Sequence, residues 1–126
     1  MKSVTVGWFE IPVENMDRAI DFYEKVFDCK LNMQEMGDFV MAWFPWDQKQ
    51  LGAGGSLVKH KDFYKTSDLA GSLIYFSSED CEIELGRVVE AGGSVQIPKR
   101  MIAPDIGYMG VFLDSEGNRI AIHSQT

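Results

Sequence analysis

Apolar and polar positions along the chain run through the same pattern twice. From Gly7 to Val13 they alternate, Phe9 and Ile11 on one parity and Trp8 and Glu10 on the other. That alternation predicts a strand, because successive strand side chains point to opposite faces. Pro12 discourages further ladder pairing. From Met16 the period lengthens: Met16, Ala19, Ile20, Tyr23, Val26 and Phe27 recur at helical spacing. Asn15 is a suitable N-cap, and Asp17 places negative charge in the first turn. The apolar stripe should pack on Phe9 and Ile11, which leaves Trp8 and Glu10 facing away from the helix. Three strands should follow: Lys30–Met36, Phe39–Phe44 after a Gly37-Asp38 turn, and Leu51–His60, whose glycines suit a bent strand approached closely by backbone. LGAGG lacks the order of a phosphate-binding loop. Lys59–Ala70 is polar and aperiodic. It reads as a linker, with His60 a solvated group between Lys59 and Lys61.

The second round begins at Gly71–Ser77, with Leu73 and Tyr75 on one face and Ile74 and Phe76 on the other. Asp80 is a candidate cap for a helix with a thinner stripe of Cys81, Leu85 and Val88, weakened by Gly86 and ended by Gly92-Gly93. Ser94–Ile97 reads as a strand and Pro98–Ile106 as a loop carrying Lys99 and Arg100, placed to lid the second half. Gly107–Leu113 and Asn118–Ser124 read as strands joined by a turn at Asp114–Gly117. Placing Trp8 over Leu73 sets Glu10 over Tyr75, Asn15 over Asp80 and Ile20 over Leu85. Identity is poor, but the order of elements repeats, and such a repeat decides the fold more than local propensity does. Each half has one sheet face covered by a helix and one face in need of cover. The expected fold is α+β: two tandem βαβββ modules whose mixed sheet curls around a shared cavity. Residues 1–126 form one domain, with module one at about 1–60, a linker at about 61–70 and module two at about 71–126.

Charge and cysteine content narrow the function. A net charge of −7 argues against nucleic acid or anionic membrane as the main partner. Neither a spanning apolar run nor a leader pattern at Met1–Thr5 is evident. Two cysteines, Cys29 and Cys81, are too few for a disulfide framework and read as half-buried free thiols of a cytoplasmic protein.

The segments WFEIPVENMDRAIDFYEKVFDCKL, the AGG after the second helix, and FLDSEGNRIAIHS together resemble the vicinal oxygen chelate superfamily, which includes glyoxalase I, extradiol dioxygenases and bleomycin-resistance proteins. The resemblance implies paired βαβββ modules around a cavity, often in a homodimer. It also implies metal ligands on four inward-facing strand positions. Those positions fall on Trp8, Leu73, Ala121 and, within Ala53–Leu57, Ser56. None of these side chains binds a divalent ion well.

By strand parity the inner surface should hold Trp8, Glu10, Leu73, Tyr75, Arg119, Ala121 and His123, with Tyr108 and Phe112 on the same parity; plain core packing is the preferred role for Phe112 and Phe44. Glu10 and His123 are the candidate acid and base, and Trp8, Tyr75, Tyr108 and Arg119 the candidate ligand contacts. Two readings follow. The first is a binding or sequestration protein for a small organic molecule, with no cofactor. The second is a lyase or isomerase using Glu10 for proton transfer, its variant placing a divalent ion at Glu10 and His123. Proton transfer next to a carbonyl needs an electrophile for the developing enolate, and only Arg119 or backbone donors are at hand.

Overall fold

The computed structural model describes residues 2–126; Met1, the first residue of the segment read for a leader, lies outside them. Strand β1 (Trp8–Pro12) leads into helix α1 (Met16–Phe27), followed by β2 (Asn32–Met36), β3 (Phe39–Trp43) and β4 (Gly54–Lys59). The second round is β5 (Ile74–Ser77), the short helices α2 (Cys81–Leu85) and α3 (Val88–Ala91), β6 (Ser94–Ala103), β7 (Gly107–Leu113) and β8 (Arg119–Ser124). The strands form two four-stranded mixed sheets of identical topology, β1-β4-β3-β2 and β5-β8-β7-β6. In each, the first strand pairs parallel with the last and the other pairings are antiparallel. The two βαβββ modules are therefore present, with their strands hydrogen-bonded as two sheets.

Helix α1 starts where its cap predicts: Asn15 Oδ1 accepts from the Arg18 amide at 3.0 Å. Its buried face is Met16, Ala19, Phe22, Tyr23 and Val26, while Ile20 and Phe27 are only half-buried. Phe22 lies outside the predicted stripe because α1 packs on more than its own sheet. It also meets α3, and the Phe22 ring centre is 6.0 Å from that of Phe112 on β7. Gly93 permits this approach, since a Cβ there would lie 2.7 Å from Phe22 Cε1 and 2.3 Å from the Leu113 carbonyl oxygen. Phe9, Phe44, Phe76, Tyr23 and Phe27 complete one core shared by both modules. In the second module Gly86 breaks the predicted single helix into α2 and α3, and Gly92, at φ 109°, closes the second piece.

Three expectations need correction. Pro98–Ile106 is not a loop as far as Ala103: strand β6 runs through it at the sheet edge, where a missing proline donor is tolerated, with register shifts that absorb the irregular pairing. Cys81 is fully buried rather than half-buried; Cys29 is partly exposed, and burial, then nearby Glu24 and Asp28, push its thiol up. His60 is buried rather than solvated, with its ring 4.5 Å from Phe39 and 4.8 Å from Phe63 and its Nδ1 accepting from the Asp62 amide.

The turn at Asp114–Gly117 does more than reverse the chain. Buried Asp114 accepts from the Tyr23 hydroxyl at 2.6 Å and from the amides of Glu116 and Asn118. Buried Glu116 accepts from the amides of Glu14 and Asn15 at 2.9 and 2.7 Å and from the Arg18 guanidinium at 2.7 Å. Asn118 donates to the Pro12 carbonyl at 2.7 Å. One turn of module two thus fastens the strand–helix junction of module one. Its acids respond in opposite directions. Burial pushes Asp114 up, only partly offset by its hydrogen bonds. Burial also pulls Glu116 upward, but Arg18 and the two amides outweigh it and hold that carboxyl below the ordinary range.

Candidate functional site

Register settles which side chains share the helix-free face of the first sheet. Trp8 pairs with Gly54, Glu10 with Ser56, and Ser56 with Trp43 on the next strand. Phe9 and Ile11 face the helix, as their parity requires. On the second sheet Tyr75 pairs with Ala121 and Ser77 with His123, while Met109, Val111 and Ala121 pack with Leu73 and Ile97 on the helix-free side.

The two faces meet along the β1–β5 seam in a half-open trough. A compartment of about 970 Å³ is lined by Trp8, Phe9, Glu10, Leu73, Tyr75, Phe76 and the 51–53 turn. A second, of about 320 Å³, is lined by Glu10, Lys65, Asp68, Leu73, Asn118 and Arg119 among others. Glu10, Ser72, Leu73 and Ile74 belong to both, so Glu10 stands at the boundary. The large compartment is aromatic and apolar, with Glu10 its one carboxylate; the small one carries two cations.

Glu10 does not bond to Tyr75. Its Oε1 accepts from the hydroxyl of Tyr64, which the linker folds back across β3, with the Tyr64 ring 6.1 Å from Phe39. That hydrogen bond, then burial, then the carboxylate's charge, push the Tyr64 phenol up. All three tryptophans of the chain gather around Gly54 and Trp8, although only Trp8 lines a compartment. The rings of Trp8 and Trp43 meet edge to face at 5.8 Å, and a Cβ on Gly54 would lie 3.0 Å from Trp46 Cγ and 3.2 Å from Trp8 Cζ3. Ser56, beneath them, is fully buried, and its Oγ has no hydrogen-bond partner.

The structure brings together Trp8, Glu10 and Tyr75 at one compartment and Glu10 with Arg119 at the other. It does not bring His123 to Glu10: His123 lines neither compartment, and its Nε2 donates to the Ile106 carbonyl at 2.7 Å. Tyr108 is corrected. Its partner on β8 is Ser124, whose Oγ accepts from the Cys81 amide on the helix side, so Tyr108 and Phe112 face the helices. Lys99, expected on a lid, lies on β6, 4.7 Å above the Tyr108 ring and paired with Asp80 at 2.7 Å. That pairing, with the Glu82 amide, holds Asp80 below its ordinary range. Trp43, Trp46, Tyr64 and Lys65 were not foreseen. Once Phe44 is assigned to the core, strand parity places Trp43 on the open face; the linker residues carried no comparable signal.

The four positions where the resemblance puts metal ligands, Trp8, Ser56, Leu73 and Ala121, offer an indole, a hydroxyl and two aliphatic groups. Such a donor set does not fit a divalent cation. Among the described residues no three histidine, cysteine, aspartate or glutamate side chains group as a metal site.

A model of the Glyoxalase/Bleomycin resistance protein/Dioxygenase superfamily matches residues 5–122. Among solved structures, a glyoxylase/bleomycin resistance protein/dioxygenase domain from Frankia sp. EAN1pec superposes with a TM-score of 0.74 at 17% identity, covering 99% of this chain and 100% of that one. TnmS3, an antibiotic binding protein from Streptomyces sp. CB03234, gives 0.66 at 22% identity, over 100% and 99% of the two chains. A glyoxalase I variant from Zea mays gives 0.72 at 16% identity, and 94% of this chain spans only 46% of that protein. At these identities the likeness is one of fold. A search of curated proteins found no match.

Proposed function

This chain belongs to the glyoxalase/bleomycin resistance protein/dioxygenase superfamily, and from that premise we propose that it binds a small organic molecule in the β1–β5 trough, with no divalent ion at the superfamily's ligand positions. The observation that carries the reading is the trough: a half-open, aromatic compartment with one carboxylate at its inner end. Ligand sites are mostly apolar with a few placed polar groups, and Trp8, Tyr75 and Glu10 supply that combination. The antibiotic-binding Streptomyces neighbour supports a binding role on this scaffold. Trp8 and Tyr75, 41% and 52% exposed, suit a wall completed by ligand and by a second copy in a homodimer. Two unpaired cysteines agree with a cytoplasmic setting.

A thermal-shift screen over small amines, acids and aromatic compounds tests the reading. We expect saturable stabilisation by mass action, lost in Trp8→Leu and Tyr75→Leu. Stoichiometric zinc, nickel, manganese or iron in purified protein overturns the metal-free part.

The second reading, acid–base catalysis at Glu10, is favoured by one observation: the Tyr64 hydroxyl is hydrogen-bonded to Glu10 at the compartment boundary. Glu10→Gln separates the two, abolishing turnover in a catalyst and only altering affinity in a binder.

A further inference from the structure

We propose that the ligand of the trough is a zwitterion of the α-amino-acid type on an apolar or aromatic frame. The frame lies in the large compartment, the ammonium on Glu10 at the boundary, and the carboxylate on Arg119 and Lys65 in the small compartment. The inference rests on the trough being a binding site and names the class of molecule that the site selects.

Three observations converge. First, the trough has a fixed order of chemistry. Trp8, Leu73, Tyr75 and Phe76 line the large compartment, which no lysine, arginine or histidine lines. Glu10 lines both compartments, and Arg119 and Lys65 line only the small one. Apolar surface, a carboxylate and two cations therefore succeed one another along a single cleft. Strand parity agrees, since Glu10 shares the helix-free face of β1 with Trp8, and Arg119 that of β8 with Ala121. Second, the charges around the small compartment do not cancel one another. Lys65, Arg119, Glu10 and Asp68 all line it, two of each sign, yet the four ion pairs among the described residues involve none of them. Tyr64 satisfies Oε1 of Glu10, while Oε2 has no protein donor among the described residues. Unpaired charges of both signs around one cleft fit a ligand that itself carries both. Third, the net charge of −7 opposes the approach of an anion and offers a bare cation competing carboxylates all over the surface. A zwitterion has no net charge, so its selection is decided inside the trough.

Each charged group of the ligand then has its own partner. A carboxylate accepts parallel N–H bonds from a guanidinium fork, with the Lys65 ammonium as a further donor. An ammonium brings three N–H donors and meets the open acceptor at Glu10 Oε2. A molecule with only the carboxylate leaves Glu10 unanswered and meets Asp68 as well. One with only the ammonium leaves Arg119 and Lys65 to water. The small compartment, about 320 Å³, takes the charged head group, and the frame has the compartment of about 970 Å³.

The test is isothermal titration calorimetry at neutral pH with a matched set: L-phenylalanine, phenethylamine, which lacks the carboxylate, and hydrocinnamate, which lacks the ammonium. We expect L-phenylalanine to bind saturably and at least about tenfold tighter than either analogue, because each analogue forfeits one set of charge-assisted hydrogen bonds. Arg119→Gln, at an exposed position, should weaken phenylalanine at least about fivefold and leave phenethylamine unchanged. Glu10→Gln, which retains an acceptor for Tyr64, should weaken phenylalanine by as much and leave hydrocinnamate no weaker. If either analogue binds within about tenfold of phenylalanine, the zwitterion assignment is overturned while the trough remains a binding site. If phenylalanine is selected but either variant lacks its charge-specific loss, the partners named here are wrong. If no member of the set saturates while the broader thermal-shift screen finds a ligand, the class is wrong and the trough stands. If that screen is silent too, the binding reading fails and takes this one with it.

Discussion

Replacing Glu116 with alanine removes the centre of the fastening between the modules. In the parent, the Glu116 side chain is fully shielded and receives five hydrogen bonds: from the amides of Glu14 and Asn15, from Nε and Nη2 of Arg18, and from the Ser115 hydroxyl. Arg18 is half exposed, so water takes over its guanidinium and it is left out of the sum. Hydrogen bonds to a charged group contribute about 1.5–3 kcal/mol each. The two amides lie at exposed residues, which places the expected loss near the low end, about 3 kcal/mol for the pair. With an m-value of about 2 kcal/mol/M in urea, the unfolding midpoint should fall by roughly 1.5 M at unchanged m. The pH dependence has a definite sign. The folded carboxyl lies below its ordinary range, so its stabilisation is complete above the unfolded value of about pH 4.3 and disappears as pH falls through the lower folded value. The gap between parent and variant should therefore close on acidification. A Glu116→Ala variant within about 0.5 kcal/mol of the parent at neutral pH, or a gap as wide at about pH 2 as at neutral pH, would refute the reasoning.

Two further perturbations test the packing and the site. Gly93→Ala sets a methyl 2.3 Å from the Leu113 carbonyl oxygen and 2.7 Å from the Phe22 ring. Because backbone must move, it should cost about 2–3 kcal/mol, and a calorimetric melting temperature equal to the parent's contradicts it. In Glu10→Gln the Tyr64 phenol loses the carboxylate hydrogen bond and charge that push it up. Its titration, isolated by ultraviolet difference against Tyr64→Phe, should move down toward the ordinary tyrosine value; an unmoved curve means the two do not interact in solution.

Much of the fold was legible because it is carried by local signals. Asn15, Asp80 and Gly92 each end a helix where their chemistry predicts. The parity of Phe9, Ile11, Ile74 and Phe76 correctly assigns the helix face of β1 and β5. What escaped depends on distant partners. Phe22 is buried by Phe112 and Gly93, far along the chain. Parity alone puts Tyr108 on the wrong face, because register along a glycine-containing strand has no local marker; Ser124 opposite it fixes the side. At the site, Trp8, Glu10 and Tyr75 followed from alternation alone, whereas Tyr64 sits in an aperiodic segment whose path is set by contact with Phe39 and Glu10. The Asp114–Gly117 segment read as a turn by composition, but nothing local to it says that its carboxylates serve the other module.

That fastening also orders events during synthesis. The Tyr23–Asp114 and Asn118–Pro12 bonds join residues 91 and 106 positions apart. A ribosome adding about 5–20 residues per second leaves the first strand–helix junction waiting on the order of 5–20 s for its partners. Until then the amides of Glu14 and Asn15 have only water, and the α1 surface destined for Phe112 and Gly93 is open to collisions. The first module is thus a nascent-chain liability that the last hairpin resolves. Such long-range closure is slow, and this makes the final hairpin the step at which a stalled or truncated chain is most exposed to aggregation.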